Sequence, residues 1–102
     1  MRAKMWRGGT FGIRVGKTNA SKFFNKNCLV AQLDIDGTYF AFDLSKTFWT
    51  TCPEIRGASI GQWARRRGLH TWLYRHPPEV ELTPLGENRF KLSVEYPPST
   101  QV

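Results

Sequence analysis

Apolar and polar residues alternate most regularly on either side of Asp36-Gly37. Apolar side chains occupy every second position from residue 29 to residue 35, and again from residue 40 to residue 44. An Asp-Gly pair between two such runs favours a two-residue type I′ turn. With that turn, the predicted cross-strand pairs are Ile35 with Thr38, Leu33 with Phe40, Ala31 with Phe42 and Leu29 with Leu44. A single register places the apolar face of both strands in the core, which predicts a β-hairpin.

Four other segments have the pattern or the composition of strands. Residues 10 to 16 alternate apolar residues with glycines and Arg14, as in a half-buried strand whose Arg14 side chain points away from the core. Residues 79 to 83 and 89 to 95 flank a turn-forming stretch and predict a second hairpin. Residues 71 to 74 predict one further short strand, which ends before a pair of prolines.

A short amphipathic helix is predicted from Ser59 onward. Ser59 and Gln62 form a capping-box pattern, and Gly68 is a typical C-terminal stop. The apolar residues at helical spacing, which we expect to face the sheet, are Ile60, Trp63 and Ala64. The basic residues of the last turn are Arg65 and Arg66, expected to face outward, and Arg67, expected beside the apolar stripe. Arginines here also complement the negative end of the helix dipole, which is a purely structural reason for part of the cluster.

The remaining segments have weaker patterns. Residues 17 to 27 predict a loop or a short helical turn held by two adjacent phenylalanines. Residues 45 to 55 predict a short extended piece followed by a loop. Residues 1 to 9 end in two glycines and predict a flexible basic arm, and residues 97 to 102 predict a loose C-terminal tail.

These elements predict a single globular domain over residues 10 to 96. Its class is α+β, with a small curved, mainly antiparallel sheet or partly open barrel of five to six strands and one short packed helix. A chain of 102 residues suits one core, and seven Phe, four Trp and three Tyr supply apolar bulk for it.

Composition also indicates where the protein works. The apolar runs are too short for a membrane-spanning helix, and the first residues lack the apolar region of a signal peptide. Two cysteines, Cys28 and Cys52, are too few for a disulfide framework and are expected to be reduced. We therefore expect a cytoplasmic protein with no membrane partner.

The distribution of charge gives the strongest indication of function. The net charge of +7 is concentrated in two blocks without Asp or Glu. The first block, residues 1 to 26, holds Arg2, Lys4, Arg7, Arg14, Lys17, Lys22 and Lys26. The second block, residues 63 to 76, holds Arg65, Arg66, Arg67 and Arg75. If the two blocks meet in space, they form a one-sided positive surface suited to a polyanion.

A small non-catalytic nucleic-acid-binding domain is the first functional hypothesis, since guanidinium groups bind phosphates and planar rings stack on bases. The candidate contact residues are Arg14, Lys17, Lys22, Arg65, Arg66, Arg67, Tyr74 and Arg75, with Tyr39 as a second ring. No element is suited to reading base edges, so backbone or single-strand contact is favoured. The charge pattern does not distinguish DNA from RNA and does not determine the oligomeric state.

Two other classes compete with this hypothesis. The basic surface also suits an adaptor or regulatory module that binds an acidic protein. A metal-dependent nuclease would need clustered carboxylates, but the spacing of Asp34, Asp36, Asp43 and Glu54 argues against it. Cys52 fits a small core residue better than a nucleophile. No catalytic, cofactor-binding or metal-ligand motif is present, since His70 and His76 lack the further ligands that zinc requires.

Overall fold

A computed structural model describes residues 1–73 and 75–94, and within them one mixed sheet of seven strands curves into a nearly closed barrel. The strands are β1 (Arg2–Gly8), β2 (Thr10–Arg14), β3 (Val30–Ile35), β4 (Thr38–Asp43), β5 (Glu54–Arg56), β6 (Glu79–Gly86) and β7 (Arg89–Val94). Their order across the sheet is β4-β3-β7-β6-β1-β2-β5. Neighbouring strands are antiparallel except β3 and β7, which are parallel.

Three helices accompany the sheet in the described residues: α1 (Lys17–Phe23), α2 (Lys46–Thr50) and α3 (Ala58–Arg66). The α+β class and the curved sheet are thus confirmed, whereas the predicted five to six strands and one helix are too few. Helices α1 and α2 have seven and five residues, too short to show a helical apolar period. The Thr, Phe and Trp content of α2 favours a strand, so tertiary packing overrides local preference there.

The β3–β4 hairpin has the predicted register from Ile35 opposite Thr38 to Ala31 opposite Phe42. Positive φ angles of 53° at Asp36 and 90° at Gly37 are those of a type I′ turn. The core-facing side chains Ala31, Leu33 and Ile35 are buried. The predicted pair of Leu29 with Leu44 also forms, since Leu44 N–H donates to the Leu29 carbonyl oxygen at 2.8 Å, but Leu29 is 79% exposed and not part of the core.

Residues 1 to 9, predicted as a flexible arm, instead contain β1, which pairs with β6 on one side and β2 on the other. Ala3 and Met5 are buried, and basic residues at positions 2 and 4 flank them. An alternation built on one small and one flexible apolar residue is a weak strand signal. The burial of β1 is therefore decided by its two neighbouring strands.

Helix α3 packs against β2 and β3, as its apolar stripe predicted. Its buried residues include Ile60, Trp63 and Ala64. Gly68, with φ 71°, follows the helix in the left-handed conformation expected of a C-terminal stop. The predicted capping box is wrong: the helix begins at Ala58, and no side chain caps its first turn.

The second hairpin is confirmed by the antiparallel pairing of β6 and β7, with an irregularity between Pro84 and Gly86. Residues 71 to 73 form no strand, so the strand predicted over 71 to 74 is wrong there. Tyr74 and the predicted tail at 97 to 102 lie outside the described residues. No helix in the described part of the chain is long and apolar enough to cross a membrane.

Candidate nucleic-acid interface

The residues predicted to contact nucleic acid lie on several different elements. Arg14 ends β2, and Lys17 and Lys22 follow on α1. Arg65 and Arg66 end α3. Arg67 directly follows that helix, and exposed Arg75 lies in the connection to β6 with φ 65°. The structure therefore distributes the two basic blocks over the sheet and two helices, and each cation needs to be assessed in its own surroundings.

Arg66 and Arg67 face the turn of the β3–β4 hairpin. Arg66 Nη2 donates to Asp36 Oδ2 at 3.1 Å, and Arg67 Nη2 donates to Asp36 Oδ1. Desolvation raises the pKa of Asp36, but the hydrogen bonds and positive charges of the two arginines outweigh it and hold this pKa below its ordinary value. Part of the positive charge of the arginine run is thus neutralised within the protein.

Asp36→Asn is expected to reduce the free energy of unfolding at pH 7 by less than about 1 kcal/mol, because exposed ion pairs contribute little. Asn also suits a type I′ turn, so the hairpin is retained. The pKa of Asp36 is lower in the folded chain, so its contribution is present above the unfolded-state pKa and is lost as pH falls through the folded pKa. Urea unfolding of both proteins from pH 7 to about pH 3 measures this, since the difference between them should shrink below about pH 4. A difference independent of pH would contradict the ion pair.

A second acid holds two arginines on the outer face of the sheet. Arg14 donates from Nε and Nη2 to Glu54 Oε1 at 3.1 and 3.0 Å, and Arg56 Nη2 donates to Glu54 Oε2 at 3.3 Å. The β2–β5 register produces this contact, because it places Arg14 opposite Glu54. The Glu54 side chain is 5% exposed, whereas those of Arg14 and Arg56 are 56% and 50% exposed. One buried anion therefore fixes two exposed guanidinium groups.

Trp6 lies beside this arginine pair. The pairing of β1 with β2 and of β2 with β5 aligns Trp6, Gly12 and Arg56 across three strands. Arg56 Cζ lies 4.4 Å from the centre of the Trp6 ring, within the range of a cation–π contact. A Cβ atom at Gly12 would lie 2.6 Å from the Ile55 carbonyl oxygen, so only glycine fits at this position without a backbone shift.

Lys4 completes this surface, because it lies opposite Arg14 on the same side of the sheet. We call the outer surface formed by Lys4, Trp6, Arg14, Glu54 and Arg56 the arginine–tryptophan face. Its border on β6 is acidic, since Glu79 lies opposite Lys4 and forms an ion pair with Arg2 at 3.5 Å. The basic side chains of this face therefore lie on β1, β2 and β5, beside an acidic border on β6.

Another cation–ring cluster lies at the tip of the β1–β2 hairpin. Arg7 Cζ lies 4.5 Å from the centre of the Trp72 ring, and Arg7 Nη1 donates to the His70 carbonyl oxygen at 3.3 Å. The Phe11 ring meets Trp72 edge-on at 6.2 Å, and Arg65 Cζ lies 5.5 Å from the centre of the Phe11 ring. These contacts attach the connection after α3 to the β1–β2 hairpin.

The cysteines and the possible metal ligands of the described residues do not come together in a catalytic or metal site. Cys52 is exposed, so its predicted place in the core is wrong. Neither Cys52 nor Cys28 forms a disulfide in the described part of the chain. Desolvation raises the pKa of Cys28, as do its hydrogen bond to Glu87 and the negative charge of that residue. In residues 1–73 and 75–94, no three His, Cys, Asp or Glu side chains lie close enough to hold a metal ion.

Sequence reasoning missed Trp6 and Arg56, which are central to the arginine–tryptophan face. Trp6 was assigned to a flexible arm, and Arg56 lies in a segment with excess acidic charge. The useful signal is that Glu54 and Arg56 are two residues apart, which places both side chains on one face of a strand.

Comparison of the chain with protein-family models, curated proteins and solved structures found no match.

Proposed function

We propose that this chain is a small non-catalytic nucleic-acid-binding domain that contacts phosphates through the arginine–tryptophan face. The observation that carries the proposal is the pair of half-exposed arginines held by buried Glu54. An arginine has five N–H donors, and Arg14 uses two of them on Glu54. The Arg14 side chain is 56% exposed, and its remaining donors suit the oxygens of a phosphate.

Preorganisation is the physical advantage of this arrangement. A free surface arginine loses side-chain entropy when it binds, at a cost of about 0.5–1.5 kcal/mol per ordered side chain. Glu54 has already ordered Arg14 and Arg56, so less entropy remains to be lost on binding. Trp6 adds a half-buried ring beside the cations, and base–aromatic stacking contributes about 1–3 kcal/mol per base.

The shape of the face favours a single strand. Reading base pairs in the major groove requires an α-helix or a two-stranded ribbon that enters the groove. The arginine–tryptophan face instead lies on three neighbouring strands, β1, β2 and β5, with its side chains on the surface of the sheet. A strand lying across this face would place phosphates at the arginines and an unpaired base at Trp6.

A salt series tests the proposal. Fluorescence anisotropy of labelled single- and double-stranded DNA and RNA should show micromolar or tighter binding at about 50 mM salt, with the single strands favoured. Three phosphate contacts on a single strand predict that log affinity falls with log salt with a slope of about −2. The absence of binding at low salt, or a slope near zero, would overturn the proposal. An acidic protein would then become the preferred partner for the basic surface.

A further inference from the structure

A concave site lies between α1 and α2, outside the residues that form the arginine–tryptophan face. It has a volume of about 400 Å³, within the range of about 300–1,000 Å³ that is usual for small-ligand sites. Phe24 and Phe48 form its buried floor, and half-buried Trp49 forms a wall. Lys17 and Lys26 stand on its rim, and both are exposed.

Packing makes this groove a preformed feature. Residues 17, 20, 21 and 24 line it from α1 and the position just after it, a spacing that places them on one side of a helix. The Phe24 and Phe48 ring centres are 5.1 Å apart, and Phe48 meets Trp49 edge-on at 4.9 Å. Phe24 also contacts Phe90 of β7 at 4.6 Å, which anchors the floor to the sheet.

The lining of the groove specifies the chemistry of its ligand. No acidic side chain lines it, and the chain has no Asp or Glu before residue 34. An aromatic floor and wall favour a planar apolar ring, while two lysine ammonium groups favour an anion beside that ring. A nucleotide combines the two, since its sugar carries both a planar base and a phosphate.

We propose that the groove between α1 and α2 binds one nucleotide, with its base against Trp49 and its phosphate between Lys17 and Lys26. This inference rests on the proposed function, because the groove and the arginine–tryptophan face adjoin at two consecutive residues. Pro53 lines the groove, and the next residue is Glu54, which holds the two arginines. A single strand crossing the face can therefore deliver an unpaired nucleotide to the groove, whereas the bases of a duplex are already stacked.

Adenosine 5′-monophosphate is the probe, because it contains the proposed chemistry without a strand. Binding is measured by isothermal titration calorimetry, with adenosine as the ligand that lacks phosphate. Lys17→Gln/Lys26→Gln should weaken binding of the monophosphate by about tenfold or more, equivalent to about 1.4 kcal/mol, and leave that of adenosine unchanged. The matched control is Lys46→Gln/Lys91→Gln, which removes two charges from exposed positions outside the groove. This control should stay within about twofold of the unmodified protein.

Trp49→Phe tests the base contact with little loss of packing, and it should weaken the binding of both adenosine and its monophosphate.

Equal binding of the monophosphate by the groove variants and the control, or no binding at all, would overturn the groove proposal. Single-strand binding that still depends on Arg14 and Arg56 would then leave the proposed function standing. The opposite result, monophosphate bound in the groove and no nucleic acid bound, would overturn the proposed function and identify a site for free nucleotides. Loss of the single-strand preference in the lysine variant would identify an unpaired nucleotide of a strand as the natural occupant.

Discussion

Replacing Trp63 with alanine is expected to lower the free energy of unfolding by about 3–5 kcal/mol, as large-to-small changes of buried aromatic residues do. Trp63 is fully buried on the side of α3 that faces the sheet, and it is the largest side chain in the core. Its removal leaves a cavity between α3 and strands β2 and β3, against which the helix packs. Urea unfolding followed by circular dichroism measures the loss. Since small domains have about 5–15 kcal/mol in total, this variant should be close to unfolding.

Trp63→Phe is the control for this prediction. No hydrogen-bond acceptor in the described part of the chain contacts Trp63 Nε1, so phenylalanine removes an unpaired polar group along with some volume. An unsatisfied buried donor costs about 1–3 kcal/mol, and its removal offsets part of the lost packing. The phenylalanine variant should therefore retain most of the stability that alanine loses. If both variants were equally destabilised, the indole N–H would have to be hydrogen-bonded in the folded protein.

Local sequence signals were sufficient where the determinant of structure is itself local. The β3–β4 register follows from the Asp36-Gly37 turn and the adjacent alternation, and both are contained in about 16 consecutive residues. The apolar stripe of α3 is equally local, which is why Ile60, Trp63 and Ala64 were assigned to the core correctly. Strand β1 lacks such a signal, because β6, its neighbour on one side, lies far away in the sequence, although β2 on the other side follows it directly.

The site is harder to predict from the sequence, because charged residues that are far apart along the chain come into contact in the folded protein. Arg14 belongs to an acid-free block, yet it contacts Glu54, 40 residues away. Arg66 likewise contacts Asp36, 30 residues away. Sheet pairing and the packing of α3 create these contacts, and neither can be derived from the composition of a segment. The basic blocks are therefore partly neutralised, because Arg14, Arg66 and Arg67 each contact an acid.

The second large effect is expected from removal of the arginine pair. In the triple variant Arg14→Gln/Glu54→Gln/Arg56→Gln, amides replace all three charges, so no unpaired carboxylate remains in the nearly buried position of Glu54. Hydrogen bonds to charged groups contribute about 1.5–3 kcal/mol each, so losing two arginine–phosphate contacts should weaken single-strand binding by a hundredfold or more. The salt slope should become shallower by about 1.4, since each phosphate contact on a single strand contributes about 0.7. Anisotropy titrations over a salt series measure both quantities.

Lys91→Gln is the matched control, because it and the triple variant each lower the net charge by one. Lys91 is exposed on β7, which is separated from β1 by β6. If overall charge alone attracts the nucleic acid, the two variants should bind within about twofold of each other, and the proposed role of the arginine–tryptophan face would be wrong. A loss confined to the triple variant, with an unchanged melting temperature in both, would instead locate the phosphate contacts at the two arginines. The comparison thus separates a specific arrangement of guanidinium groups from a merely basic protein.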